Sequence, residues 1–159
     1  MAIRKIVKYP DPILKEKAKP VTKFNERLHK LLDDMAETMY DAKGVGLAAP
    51  QVGIPKRVIV VDDGNGLIEV VNPELVDMKG EQLSPPEGCL SIPGLLGVVR
   101  RAYQLRVKGQ DRYGRPFEME AEDYLARIFQ HEVDHLNGIL FIDIAERVFR
   151  PEEEEEVEA

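Results

Sequence analysis

Apolar positions along this chain follow two periods, and the switches between them mark out its elements. Between Asn25 and Lys43, the residues Leu28, Leu31, Leu32, Met35 and Met39 recur three or four apart, the stripe of an amphipathic helix. Asn25 stands at its start and Lys43-Gly44 stops it. Ahead of it, Asp11-Pro12-Ile13-Leu14 combines a capping acid with a first-turn proline and predicts one short helix. From residue 57 the character changes: Arg57-Val58-Ile59-Val60-Val61 is β-branched and reads as a buried strand. Gly64-Asn65-Gly66 turns the chain, residues 67–71 answer as a hairpin partner, and residues 75–78 predict a further strand. Residues 105–110 and 117–121, joined through Asp111-Arg112-Tyr113-Gly114, form a second hairpin. A last helix starts near Asp123 and stops at Asn137-Gly138. Its Leu125, Ile128, Phe129, Val133 and Leu136 leave little polar face, so it is expected to run through the interior. The expected class is α+β, with mixed or antiparallel sheets packed around that buried central helix.

Two stretches fit neither period. Gly44-Val45-Gly46-Leu47-Ala48-Ala49 matches the dinucleotide fingerprint G-x-G-x-x-A, but that motif needs a strand before it and a helix after it. Here a helix precedes, and Pro50 with Gly53 opposes a helix beyond. What remains is a glycine-rich loop that lets backbone approach a ligand, ending in the lone amide of Gln51. Residues 84–94 hold three prolines and two glycines in eleven positions and cannot be helical.

Composition narrows the class further. A chain of 159 residues with 43% apolar content suits one domain with a proper core. That domain is expected to span 1–150. The net charge of −7 sits mostly in residues 150–159, where six Glu follow or flank Arg150 and Pro151. Residues 151–159 therefore read as an acidic, disordered tail. No basic run in the sequence invites nucleic acid. No apolar run approaches the ~20 residues of a membrane helix. The charged N-terminus has no signal-peptide core, and a single cysteine suits a reducing compartment, so the expected location is the cytoplasm.

The chemistry lies on the last helix. In Gln130-His131-Glu132-Val133-Asp134-His135, the two histidines are four apart and so share one helix face, where both can bind one metal ion. Glu132 stands beside them as a general base, the arrangement of hydrolytic H-E-x-x-H sites. His29, on the earlier helix, has nothing near it to complete a site. A third ligand is needed. The metzincin extension fails at Phe141, where its third His belongs. A thermolysin-like site would take a Glu from a later helix, but only 24 residues follow His135, and their Glu run lies after Pro151 in a low-complexity tail. The remaining soft donor is Cys89, in a loop stiffened by Pro86 and Pro93. Cys-His-His leaves a fourth position open, the catalytic rather than the structural pattern.

Three segments, Gly44-Val45-Gly46-Leu47-Ala48-Ala49-Pro50-Gln51, Glu87-Gly88-Cys89-Leu90-Ser91 and the H-E-x-x-H helix, resemble in order and spacing the motifs of bacterial peptide deformylases. The resemblance covers residues 3–144 and is to a compact bacterial form. It departs at the end, where Pro151 and the Glu run stand in place of the long C-terminal helix of some members. It implies removal of formate from N-formylmethionine of newly made chains, with the ribosome as the implied place of action. It assigns Cys89, His131 and His135 to the metal, and Glu132 to proton transfer. It places the Gln51 amide and the Leu90 backbone N–H at the developing oxyanion. Fe(II) is the implied cofactor, with Zn(II), Ni(II) or Co(II) as alternatives in purified protein. Val45 and Gly46 are expected beside the peptide backbone, and Ile128 and Tyr124 around the methionine side chain, with the Arg127 stem nearby. Glu87 and Arg101 are expected to pair and hold the cysteine loop. Asp134 is either an acceptor in that network or a solvated charge. Two rival readings stand beside this one: another H-E-x-x-H hydrolase or peptidase, and a non-catalytic domain stabilised by metal.

Overall fold

A computed structural model describes residues 2–83 and 85–152. After a short 3-10 turn at Pro12–Lys15, capped by the Asp11 side chain, comes α1, Glu26–Asp41. The Asn25 side chain accepts from the Leu28 N–H at 3.2 Å and caps it. All five residues of the predicted stripe are buried. The helix ends at Asp41, and Lys43, within the predicted stop, takes the left-handed conformation at φ 58°.

The glycine-rich stretch is more ordered than a loop. Gly46–Ala48 forms a strand, β1, and Ala49–Val52 a 3-10 turn with Pro50 in its first turn. β2 is Val58–Val61 and β3 is Ile68–Lys79, paired antiparallel as the predicted hairpin. β3 is one twelve-residue strand where alternation predicts two pieces. Asn72 (φ 52°) and Asp77 (φ 51°) lie within its two register shifts. Asn72 is tied down: its side chain accepts from Val21 N–H at 2.8 Å and donates to Val21 O at 2.9 Å and Gln110 Oε1 at 2.8 Å. A bulge pinned in this way carries the strand through Pro73 without ending it.

β4 (Gln82–Leu83), β5 (Glu87–Cys89), β6 (Ile92–Val98) and β7 (Arg100–Arg101) are short strands that hydrophobic alternation did not mark. β8 (Gln104–Gln110) and β9 (Pro116–Glu122) make the second predicted hairpin. α2 (Asp123–Leu136) follows, with Gly138 left-handed at φ 73° beyond its end. α3 (Phe141–Ile144) and β10 (Arg147–Phe149) are the last named elements among the described residues. Of the expected tail, only Pro151 and Glu152 lie among the described residues.

The main sheet is antiparallel throughout, in the order β1-β2-β3-β8-β9. β2 shows why its run is continuously apolar. Ile59 and Val61 pack on the α2 side with Phe129, Val133 and Leu136, while Val58 and Val60 pack on the α1 side with Leu32 and Met35. A strand buried on both faces cannot alternate. A smaller sheet, β10-β6-β5, covers a third apolar cluster around Leu140 and Phe141. From Ala126 to Leu136 no residue of α2 is exposed, so the central-helix expectation holds.

Candidate active site

Helix geometry sets His131 and His135 one turn apart, with ring centroids 5.1 Å from each other. Cys89 arrives from the small sheet, at the end of β5, where Cys89 faces Ile92 across the two-residue turn Leu90-Ser91. Its Sγ lies 3.4 Å from His135 Nε2, and ligand atoms of Cys89, His131 and His135 all fall within 4.8 Å of one another. Gln51 comes from the 3-10 turn after β1. Its amide donates to Ser91 Oγ at 3.1 Å and approaches Cys89 Sγ at 3.6 Å, while its oxygen accepts from Ala48 N–H at 3.0 Å. The N-terminal segment straps these pieces together: Val7 N–H donates to Gln51 O, Tyr9 N–H to Ser91 O, and Lys8 Nζ to Leu90 O. Three stretches far apart in sequence thus meet on the face of one helix.

The expected Glu87–Arg101 pair is present and extends further. Arg101 grips Glu87 through two bonds, at 3.0 and 2.8 Å, and reaches Asp134 Oδ2 at 2.7 Å. Asp134 is therefore an acceptor in the network, not a solvated charge. His131 Nδ1 donates to Glu87 Oε1 at 2.9 Å, which leaves Nε2 of that ring available as a donor to a cation. Burial alone raises the Glu87 carboxyl, but hydrogen bonds from His131 and Arg101 reverse this and hold it at about 2. Burial pushes the His135 imidazole well below its usual range, which keeps it neutral.

Glu132 is 4% exposed, and its Oε1 has no hydrogen-bond partner. Burial raises its carboxyl to about 7, with the neighbouring Glu87 charge adding to the shift and His131 opposing it. It lies against Gly46, where any Cβ would stand 2.6 Å from Glu132 Oε2. The carboxylate reaches this place only because residue 46 lacks a side chain.

A cavity of about 410 Å³ opens over these groups. Val45, Gly46, Gln51, Glu87, Cys89, Leu90, Ile128, His131 and Glu132 line it, so most of the sequence-assigned residues converge there. Tyr124 does not: it is 42% exposed, and its ring stacks under the Arg127 guanidinium at 5.1 Å. Arg127 lines the cavity where its stem was expected, and Lys43, which sequence reasoning missed, lines it too. Tyr124 shares the helical phase of Ile128 and His131, but it stands in the exposed first turn of α2, two turns before His131, and does not line the cavity. Ser91 and the N-terminal strap escaped sequence reasoning. Both act through hydrogen bonds between segments, which leave no local signature.

The donor set fits a divalent cation: one thiol sulfur, two imidazole nitrogens, a tautomer fixed by Glu87 and an unpartnered carboxylate beside them. A buried helix with this donor set and an adjoining acid–base group defines a metal-dependent hydrolase. The chain belongs to the polypeptide deformylase family, whose profile matches residues 3–150. A peptide deformylase from Pelotomaculum thermopropionicum is 58% identical over 148 residues, covering 93% of this chain and 95% of that protein. One from Carboxydothermus hydrogenoformans is 55% identical, covering 94% and 98%. The crystal structure of the Thermotoga maritima enzyme superposes with a TM-score of 0.90 at 47% identity, covering 92% of this chain and 100% of that one. Membership makes this chain an enzyme that takes the formyl group from the N-terminus of newly made peptides. Among the described residues, no helix is long and apolar enough to cross a membrane.

Proposed function

We propose that Cys89, His131 and His135 hold one Fe(II) ion, and that Glu132 shuttles the proton that formyl hydrolysis must move. The ion supplies, when bound, polarisation of the formyl carbonyl and a lowered pKa for water. Glu132 accepts a proton from the water whose oxygen bonds to the formyl carbon, then delivers it to the methionine nitrogen as the C–N bond breaks. Formate and a peptide with a free amine result. A carboxyl raised to about 7 by burial is suited to both halves of that task.

The Gln51 amide and the Leu90 N–H donate to the oxygen that gains charge. Gln51 is held for this by Ala48 and Ser91, so it loses little freedom as the reaction proceeds. β1 is an edge strand of the main sheet, so the substrate backbone can add beside Val45 and Gly46 as a further strand. Ile128, together with the stem of Arg127, forms the wall for the methionine side chain.

Thiolate and imidazole donors also accommodate Zn(II), Ni(II) and Co(II); the family resemblance favours iron, and with it sensitivity to oxygen. The enzyme works in the cytoplasm on nascent chains at the ribosome, as one catalytic domain, residues 1–150, carrying an acidic tail.

One observation carries this reading: the buried, unpartnered Glu132 carboxylate beside three ligand atoms in an open cleft. Its test is Glu132→Gln, assayed for formate release from formyl-Met-Ala-Ser together with metal content. Retained metal with almost no turnover is expected. Unchanged turnover removes Glu132 from its role, and cleavage of internal peptide bonds without formate release would favour a peptidase.

A further inference from the structure

Two acids and two bases line the catalytic cavity: Glu87 and Glu132, Lys43 and Arg127. Both acids are committed. Glu87 is held by Arg101 and by His131 Nδ1, and Glu132 stands against Gly46 beside the ligand atoms. Both cations are unspent. Lys43 is exposed on the turn after α1. Arg127, one turn before His131 on α2, lies over the Tyr124 ring at 5.1 Å, and its Nε is buried without a hydrogen-bond partner. Among the described residues, no carboxylate pairs with either cation. The charge left over in the cavity is therefore positive and comes from two separate walls, in a chain whose net charge is −7.

We propose that Lys43 and Arg127 together select formylated peptides that carry Asp or Glu as their third residue. The selection rests on the substrate backbone adding beside Val45 and Gly46 as a further strand. That placement fixes a direction. The formyl end lies by Gln51 and Glu132, so the peptide runs back past Gly46 and Val45 toward Lys43, antiparallel to β1. Gly46 and Lys43 are three residues apart, a span of at most about 11 Å. Side chains of an extended strand alternate between faces, so the first and third residues share one face, about 7 Å apart. With methionine against Ile128 and the Arg127 stem, the third residue is the next to face the protein, and the second turns away. A carboxylate at the third position meets two cations, with no free acid of the cavity to compete for them. A lysine there meets like charge. These contacts lie away from the formyl carbon, bind ground and transition states alike, and so show in KM rather than kcat.

The test compares formate release by the metal-loaded full chain from formyl-Met-Ala-Xaa-Ala-Ser amides with Glu, Gln or Lys at Xaa. The C-terminal amide removes a terminal carboxylate that would compete for the same cations. At low ionic strength, kcat/KM for the Glu peptide should exceed that for Gln about threefold to tenfold, the yield of one or two half-exposed ion pairs. The Lys peptide should fall below Gln, with kcat within about twofold across the three. The preference should shrink as salt rises to about 0.5 M. Lys43→Glu should reverse the order of the Glu and Lys peptides. Arg127→Met, which keeps an unbranched stem, should bring the Glu-to-Gln ratio closer to one. Ratios are read within each variant, so a change in folded fraction or metal content cancels. Equal kcat/KM for the three peptides overturns the specificity and leaves the strand addition standing. A Glu preference unchanged in both variants overturns the assignment to these two cations. A Glu preference at the second residue, in formyl-Met-Xaa-Ala-Ala-Ser amides, with none at the third, overturns the strand addition itself and the specificity with it.

Discussion

A methyl group on Gly46 would sit 2.6 Å from Oε2 of Glu132 and 2.9 Å from its Cγ and Cδ. The glycine of the first motif therefore sets the position of the carboxylate in the last. Gly46→Ala must move either β1 or Glu132, and displacement of a reacting group by about 1 Å costs about 100-fold in rate. Formate release should fall by that order while metal content stays at one ion per chain. Normal turnover in this variant would show that the carboxylate position is not critical.

Glu87 links the metal face to the buried charges behind it. Glu87→Gln keeps the shape but weakens the acceptor that fixes the His131 tautomer. Metal affinity should drop about 10–100-fold, measured by competition with a chelator. An unchanged affinity would make the Glu87–His131 bond incidental.

Arg101 is held between two carboxylates and is itself 5% exposed. Arg101→Ala leaves Glu87 and Asp134 without their shared cation. Loss of one partner of a buried pair typically destabilises by about 3–5 kcal/mol. Urea unfolding of the metal-free protein should show a loss of that size, and a change below about 1 kcal/mol would mean water replaces the guanidinium at little cost.

Gln51 is buried, and its amide approaches Cys89 Sγ at 3.6 Å at the edge of the cavity. Gln51→Ala should reduce turnover about 100–1,000-fold, the usual effect of removing one oxyanion donor, with metal retained. A variant that loses metal and turnover together would point to a structural role at the Cys89 turn.

Asp34 holds the N-terminal segment against α1. It accepts from Ala2 N–H at 2.7 Å and from Arg4 Nε at 2.9 Å. Burial raises its carboxyl, but these bonds and Lys30 outweigh burial and keep it below its usual range. The folded pKa is thus under the unfolded one. The stabilisation is full above the unfolded value and disappears as pH falls through the folded one. Asp34→Asn should lower stability at pH 7 and flatten its decline below about pH 4, followed by urea denaturation at each pH. An equally steep acid decline in the variant would assign that decline to other carboxylates.

Much of this protein is legible in one dimension. Helix phase places His131 and His135 on one face, whatever surrounds them. Alternation and turn residues locate β2, β8 and β9, because a half-buried or fully buried strand must show its burial in side-chain type. Counting donors reaches Cys89, since no other thiol exists. β4, β5 and β7 are not legible, because two or three residues carry too little periodicity to register, and β6, at seven residues, is masked by Pro93, Gly94 and Gly97. β3 was divided in two because its bulge is stabilised by Asn72 reaching to Val21, a contact with no trace in local pattern.

What the sequence determined alone is the chemistry available: two imidazoles and a carboxylate one helical turn apart, one thiol, one amide after a glycine run. What the tertiary structure decided is which of these meet. It left Tyr124 outside the cavity wall, turned Asp134 inward to Arg101, and strapped the N-terminal segment across the Gln51 and Cys89 turns. Spacing along a helix is fixed by covalent geometry, whereas proximity between segments is fixed by how the sheets and helices pack.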